Sequence, residues 1–173
     1  TAEKLAEQYS FPREEQDEFA LLSQKRAAHA QESGRFAEEI VAVEVPSRKG
    51  TIMVDQDEHI KGEVTQEKLA SLKPSFMQNG TVTAGNASGI NDGAASVIIA
   101  SGEAVEKHEL KPLAKIISWG IAGVDPSIMG IGPVPAIKQA LARAEMTLEE
   151  IDLIEVNEAF ASQYLAVEKE LGL

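Results

Sequence analysis

"IDLIEVNEAFASQ", residues 151–163, is the stretch on which the fold turns. Ile151 to Val156 form an apolar run of strand length, and the residues that follow read as helix, so a strand is expected to hand over to a helix through Asn157 and Glu158. Gly, Ser or Asp ordinarily occupy such a junction. Asn157 admits two readings. As an N-cap, its side-chain oxygen takes an orphan backbone N–H of the helix. At the rim of a sheet, where open α/β proteins place ligands beyond the strand ends, its amide donates to a substrate oxygen or holds a water that does. Glu158 would hold the turn or act as an acid or base.

Working upstream, "PVPAIKQALARAEM" (133–146) predicts a helix with prolines at its start, and "PLAKIISWGIAGV" (112–124) a strand. Thr147 and Glu150 make a T-x-x-E capping box between that helix and residues 151–156. Strand, helix and strand at this spacing predict a right-handed βαβ crossover with parallel strands. The segment "NGTVTAGNASGINDGAASVIIAS" (79–101) opens with a loop of small residues, in which Gly80, Gly85 and Gly89 let the backbone turn or approach a ligand. Its end, "AASVIIAS", reads as a fully buried strand. A short charged helix near "GEAVEKHEL" (102–110) marks a boundary.

The first third is helical and acidic. "SFPREEQDEFALLSQKRAAHAQESG" (10–34) offers Ser10 as a cap, Pro12 near the first helical position and Gly34 as a stop. Phe19, Leu22 and Arg26 share a stripe, which leaves the remaining charge as a solvated face. "IVAVEVPSRKGTIMVDQDE" (40–58) predicts a hairpin about "SRKG", and "TQEKLASLKPSF" (65–76) a short helix begun by Thr65 and closed before Pro74. This region has little core of its own and reads as an elaboration packed on another domain.

Composition narrows the function. With 28 acidic against 16 basic residues the net charge is −12, which argues against a nucleic-acid surface. No apolar run reaches the roughly 18 to 20 residues that cross a bilayer, so no membrane partner is expected and a cytoplasmic location is the default. The chain has no cysteine, so it carries no disulfide, cysteine metal ligand or cysteine nucleophile. Its three histidines, at 29, 59 and 108, form no metal-binding spacing, and no metal site is expected.

Three stretches together, "VNEAFA" (156–161), "GNASGINDGAA" (85–95) and "GVDPSIMGIGPVPA" (123–136), resemble the thiolases of the acetyl-CoA acetyltransferase type. The likeness extends over essentially the whole chain. It implies an α/β thiolase-like fold, present in part: residues 1–89 as a helical and loop-domain portion, 90–110 as the end of the N-terminal half, and 111–173 as the start of the C-terminal half, each half built on a mixed sheet. It implies that Asn157 positions a water in an oxyanion hole for a thioester carbonyl. Ser88 would contact the pantetheine arm of coenzyme A, with Ala84 and Ala87 lining that channel. Phe76, Ala159 and Phe160 would border the ligand, and Met129 the acyl pocket. Lys61 falls where relatives commonly carry Arg near the nucleotide end; it meets phosphate as a point charge without the bidentate fork. Coenzyme A and acetyl-CoA would be substrates, with no tightly bound cofactor.

The thiolase reaction also needs two cysteines and a histidine motif that this chain does not contain. One expectation is therefore an incomplete portion of a working enzyme that joins two acetyl-CoA into acetoacetyl-CoA, or runs the reverse thiolysis, as a homodimer or homotetramer. The other is a non-catalytic thiolase-like module for coenzyme A binding or interaction. A portion with half-built sheets would expose apolar faces and be unstable or associated with its missing parts.

Overall fold

The computed structural model describes residues 1–173. Helix α1 (Ala2–Tyr9) turns Leu5 and Ala6 inward, where they meet α6 (Ala161–Leu171) from the far end of the chain. Leu5, Phe11 and Ala166 form the centre of the core, with Ile128, Ile131 and Leu165 packed around them. Polar groups fasten the same joint: Ser162 Oγ donates to the Ala2 carbonyl at 3.0 Å, and Tyr9 donates to the Glu170 carboxylate at 2.8 Å. Burial, followed by the bond to and charge of Glu170, pushes the Tyr9 phenol up to about 12.

Ser10 ends α1 in a left-handed conformation (φ 58°), its N–H turned back onto the Ala6 and Glu7 carbonyls. This corrects its expected role as the cap of the next helix. The residues before it are already helical, so it closes one helix, while Pro12, extended at ψ 164°, opens α2 (Arg13–Glu32). Strands β1 (Val43–Ser47) and β2 (Gly50–Val54) form the expected antiparallel hairpin, pairing Val43 with Val54. Thr65 caps α3 (Gln66–Ala70) by accepting from Lys68 N, and Ser101 caps α4 (Gly102–Lys107) by accepting from Ala104 N. Helix α5 (Pro133–Ala144) begins at its prolines, and the Glu150 carboxylate accepts from Thr147 N at 2.8 Å, completing the capping box.

The expected βαβ sheet is absent. The hairpin is the only ladder, and residues 93–100, 112–124 and 152–157 join no helix or strand; among them only Asn157 O takes a backbone partner, the N–H of Ala159 at 3.0 Å. "AASVIIAS" is exposed rather than buried: Ile98 is 95% accessible, and Leu153 in the third segment is 89% accessible. An apolar run fixes the preference for an extended, covered backbone, but a strand needs a second backbone about 4.8 Å away, and these 173 residues place none there. The helix-on-segment half of the unit is present. Ser118 Oγ donates to Ala140 O at 2.6 Å, Ile121 N to the Gln139 side chain at 2.8 Å, and Arg143 to Trp119 O at 2.8 Å. Gly120 allows this contact, because a Cβ there would collide with the Ala136 carbonyl. With only 17 of 173 residues buried, the core sits almost wholly where α1, α2 and α6 meet loop 81–88.

Candidate functional site

The loop of small residues is held from three sides. At its start the Glu3 carboxylate accepts from Thr81 N at 3.0 Å and Val82 N at 3.0 Å. In its middle Asn86, 3% accessible, accepts from Thr83 N at 2.8 Å and donates to Thr81 O at 3.0 Å and to Asp17 at 2.9 Å. Asp17, itself 1% accessible, also receives Arg13 Nε at 2.7 Å, and Arg13 donates to the Leu69 and Leu72 carbonyls at 2.6 and 3.1 Å. One buried ion pair thus ties α2, the end of α3 and the loop together.

At its far end the loop is zipped to the residues that precede α6. Ala87 pairs with Phe160 in an isolated antiparallel bridge, Ser88 N donates to Ala159 O at 3.0 Å, and Ala161 N donates to Asn86 O at 2.9 Å. Consequently α6 begins at Ala161 with Phe160 as its N-cap, and no side chain caps it. Asn157 is not the cap: the bridge keeps the chain extended through Phe160, so the helix starts three residues further on, with the N–H of its first residue, Ala161, donated to the Asn86 carbonyl.

Above this joint lies an open cavity of about 730 Å³. One wall is a face of α2 (Phe19, Ala20, Ser23, Gln24, Ala27), another is residues 59–61, a third is α3 with loop 84–89, and Glu158 and Ala161 complete it. Ser23 Oγ donates to the Glu158 carboxylate at 2.5 Å, while Gln24 accepts from Lys61 N at 2.6 Å and donates to His59 O at 3.2 Å. Phe19 stacks on Tyr164 at 4.5 Å. Burial first, then the charges of Glu168 and Glu158, push the Tyr164 phenol up, with Arg26 opposing. Gly85 and Gly89 lie in this wall because Leu69 with Leu72, and the His59 ring, occupy the space a Cβ would need.

Of the residues expected at a site, Lys61, Ala84, Ala87 and Ser88 line this cavity. Ser88 Oγ donates to Ala159 O at 3.1 Å, which leaves its lone pairs free to accept. Phe76 and Phe160 meet edge to face at 6.3 Å, with Phe76 66% accessible. Asn157 is exposed and lines a separate cleft of about 310 Å³ with Gly120, Pro133, Ala136, Ile137 and Ala140. Met129, on the 3-10 turn Pro126–Ile131, is also exposed and lines neither space. The loop residues are therefore brought together, while Asn157 and Met129 stand apart from them.

Sequence reasoning missed Asp17, Ser23, Gln24 and Lys68, all of them facing this loop or cavity. The available signal was the run of small residues Ala20, Ser23 and Ala27 at helical spacing within an otherwise long-chained charged helix. Such a stripe marks a face approached closely by something else.

The family model described as "Thiolase, N-terminal domain" matches residues 1–103, and "Thiolase, C-terminal domain" matches residues 110–173. An acetyl-CoA acetyltransferase of Rhizobium meliloti (strain 1021) is 52% identical over 99% of the chain, which covers 44% of that relative. Among solved structures, the Bacillus anthracis acetyl-CoA acetyltransferase superimposes with a TM-score of 0.93 at 53% identity, over 99% of this chain and 44% of that one. The human mitochondrial 3-ketoacyl-CoA thiolase in complex with CoA gives a TM-score of 0.88 at 52% identity, over 99% and 42% of the two chains. The chain thus spans a little under half the length of the proteins it matches. No helix is long and apolar enough to cross a membrane.

Proposed function

This chain belongs to the thiolase family, and we propose that it supplies the coenzyme A thioester cavity and the oxyanion-hole amide of an acetyl-CoA acetyltransferase. The complete protein joins two acetyl-CoA into acetoacetyl-CoA and free coenzyme A, or runs the reverse thiolysis. The carrying observation is the joint between loop 84–89 and residues 159–161 beside a cavity of about 730 Å³. Its small side chains suit a long, thin ligand, and Lys61, in no ion pair, offers a cation toward a phosphate-bearing end. Ser88, already donating to Ala159 O, accepts from an amide N–H of the pantetheine arm. Phe76, Ala159 and Phe160 border the arm, and Met129 the acyl group.

In this mechanism Asn157 acts where charge develops. As a nucleophile adds to the thioester, or a proton leaves its α-carbon, the carbonyl oxygen becomes negative, and the Asn157 amide stabilises it directly or through a held water. An aspartate there would set a like charge beside that oxygen. No residue of the chain is a cysteine, so in this reading the acyl-accepting thiolate comes from polypeptide outside these 173 residues.

Isothermal titration with coenzyme A tests the cavity. We expect saturable binding that Ser88→Ala weakens about five- to tenfold, the worth of one hydrogen bond to a polar ligand. A folded chain that binds no coenzyme A would refute the reading, and an unchanged affinity in Ser88→Ala would remove that residue from it. The absence of cysteine favours a second reading, a coenzyme A-binding module without catalysis. Identifying the polypeptide that accompanies this chain separates the two, since the enzyme requires a cysteine before and a histidine with a cysteine after these residues.

The partners follow from the uncovered segments. Val97, Ile98, Leu113, Trp119 and Leu153 are each at least 65% accessible, and apolar strands at that exposure call for a cover. We assign that cover to the further polypeptide that makes the relatives more than twice as long, with a homodimer or homotetramer as the finished assembly. The 173-residue chain alone is expected to bind an apolar dye strongly and to associate with increasing concentration in light scattering. Expressed continuously with that polypeptide it should do neither, and equal dye binding in both forms would contradict the assignment.

A further inference from the structure

Gln24 sits just past the midpoint of α2, half-buried, and its side-chain amide is used twice. Its oxygen accepts from Lys61 N at 2.6 Å and its nitrogen donates to His59 O at 3.2 Å. The backbone of residues 59–61 belongs to no helix or strand, so these side-chain bonds replace the ladder that would otherwise fix it. The Lys61 ammonium is then directed by its own contact with Glu58 O at 2.7 Å, and it joins no carboxylate. In a chain of net charge −12, an unneutralised ammonium lining a cavity is a resource that must be held in place to be used.

We propose that Gln24 is a positioning residue: it fixes the 59–61 backbone against α2 so that Lys61 meets the phosphate-bearing end of the ligand. The proposal rests on the reading of the cavity as a coenzyme A site. Gln24 acts through Lys61 and touches the wall's backbone rather than the acyl end. Its neighbour Ser23 performs a separate task on the same turn, holding Glu158 at the cavity's other side. Removing Gln24 should therefore weaken binding of a phosphate-bearing ligand while sparing one that lacks phosphate.

The test compares coenzyme A with pantetheine by calorimetry on the full chain carrying Gln24→Met, Lys61→Gln, or both. Gln24→Met keeps side-chain length and packing while losing both hydrogen bonds, and circular dichroism checks that each variant is folded. We expect Gln24→Met to weaken coenzyme A about tenfold, the scale of a charge-assisted hydrogen bond, with pantetheine affinity unchanged. In the Lys61→Gln background the same substitution should add nothing, because two residues acting through one contact are not additive. Faster amide exchange at Lys61 in Gln24→Met would supply an independent, ligand-free sign. Equal weakening of both ligands, no weakening of either, or full additivity with Lys61→Gln overturns the proposal while leaving the cavity reading intact. A folded wild-type chain that binds neither ligand overturns the cavity reading and this inference with it.

Discussion

Asn157→Ala, in the polypeptide that joins these residues to the acyl-accepting cysteine, is expected to lower kcat on the order of 10²-fold, the loss typical of one oxyanion donor. The KM for coenzyme A should change little, because Asn157 opens on its own cleft and is not among the residues lining the larger cavity. That split between kcat and KM separates a transition-state role from a binding role. The structure removes the main competing explanation of the residue: α6 begins at Ala161, so Asn157 caps nothing and its loss should not melt the helix. Steady-state kinetics on the variant, with circular dichroism as a control, decide the matter. Turnover equal to wild type would strip Asn157 of its catalytic assignment.

Asp17→Ala is expected to carry the largest stability loss, about 3–5 kcal/mol, because deleting one partner of a buried ion pair leaves the other charge uncompensated. Asp17 is 1% accessible and receives both Arg13 Nε and Asn86 Nδ2, so its loss removes the only carboxylate facing that guanidinium, which keeps just the Leu69 and Leu72 carbonyls, and one of the two acceptors of the Asn86 amide nitrogen. The damage should reach the site. Asn86 carries the turn that presents Ala87 and Ser88 to residues 159–160, and without Asp17 its amide keeps only the Thr81 carbonyl. Urea unfolding measures the loss, and Asp17→Asn, which keeps an acceptor of the same shape, should destabilise less than the alanine. A loss under about 1 kcal/mol in Asp17→Ala would place the pair in the class of weak surface bridges and undo its role as the loop's anchor.

Local signals were legible where they act through neighbouring residues. The capping box at Thr147 and Glu150, the cap at Thr65, the prolines opening α5 and the hairpin about Arg48 and Lys49 are each decided within a few positions, and each appears where expected. That the loop of small residues borders an open space was also legible, since Ala84, Ala87 and Ser88 line one cavity together with Lys61. The expected cap at Ser10 and the cap reading of Asn157, one of the two it admitted, fail for a common reason. Both are good caps by type, but one closes the helix before it, and the other is held short of a helix by a bridge to a residue seventy positions away.

What the sequence determined by itself is the set of short-range choices: which segments are helical, where local caps and prolines start them, which runs are apolar, and where small residues gather in a loop. Those follow from backbone sterics and from hydrogen bonds that close within a turn. The tertiary structure alone decided that one face of α2 anchors three walls of the cavity, through Asp17, Ser23 and Gln24. It also decided that the apolar runs at 93–100, 112–124 and 152–157 stay unpaired. A strand's partner and a side chain's distant acceptor are set by where the chain returns in space, and residue spacing carries no record of that return.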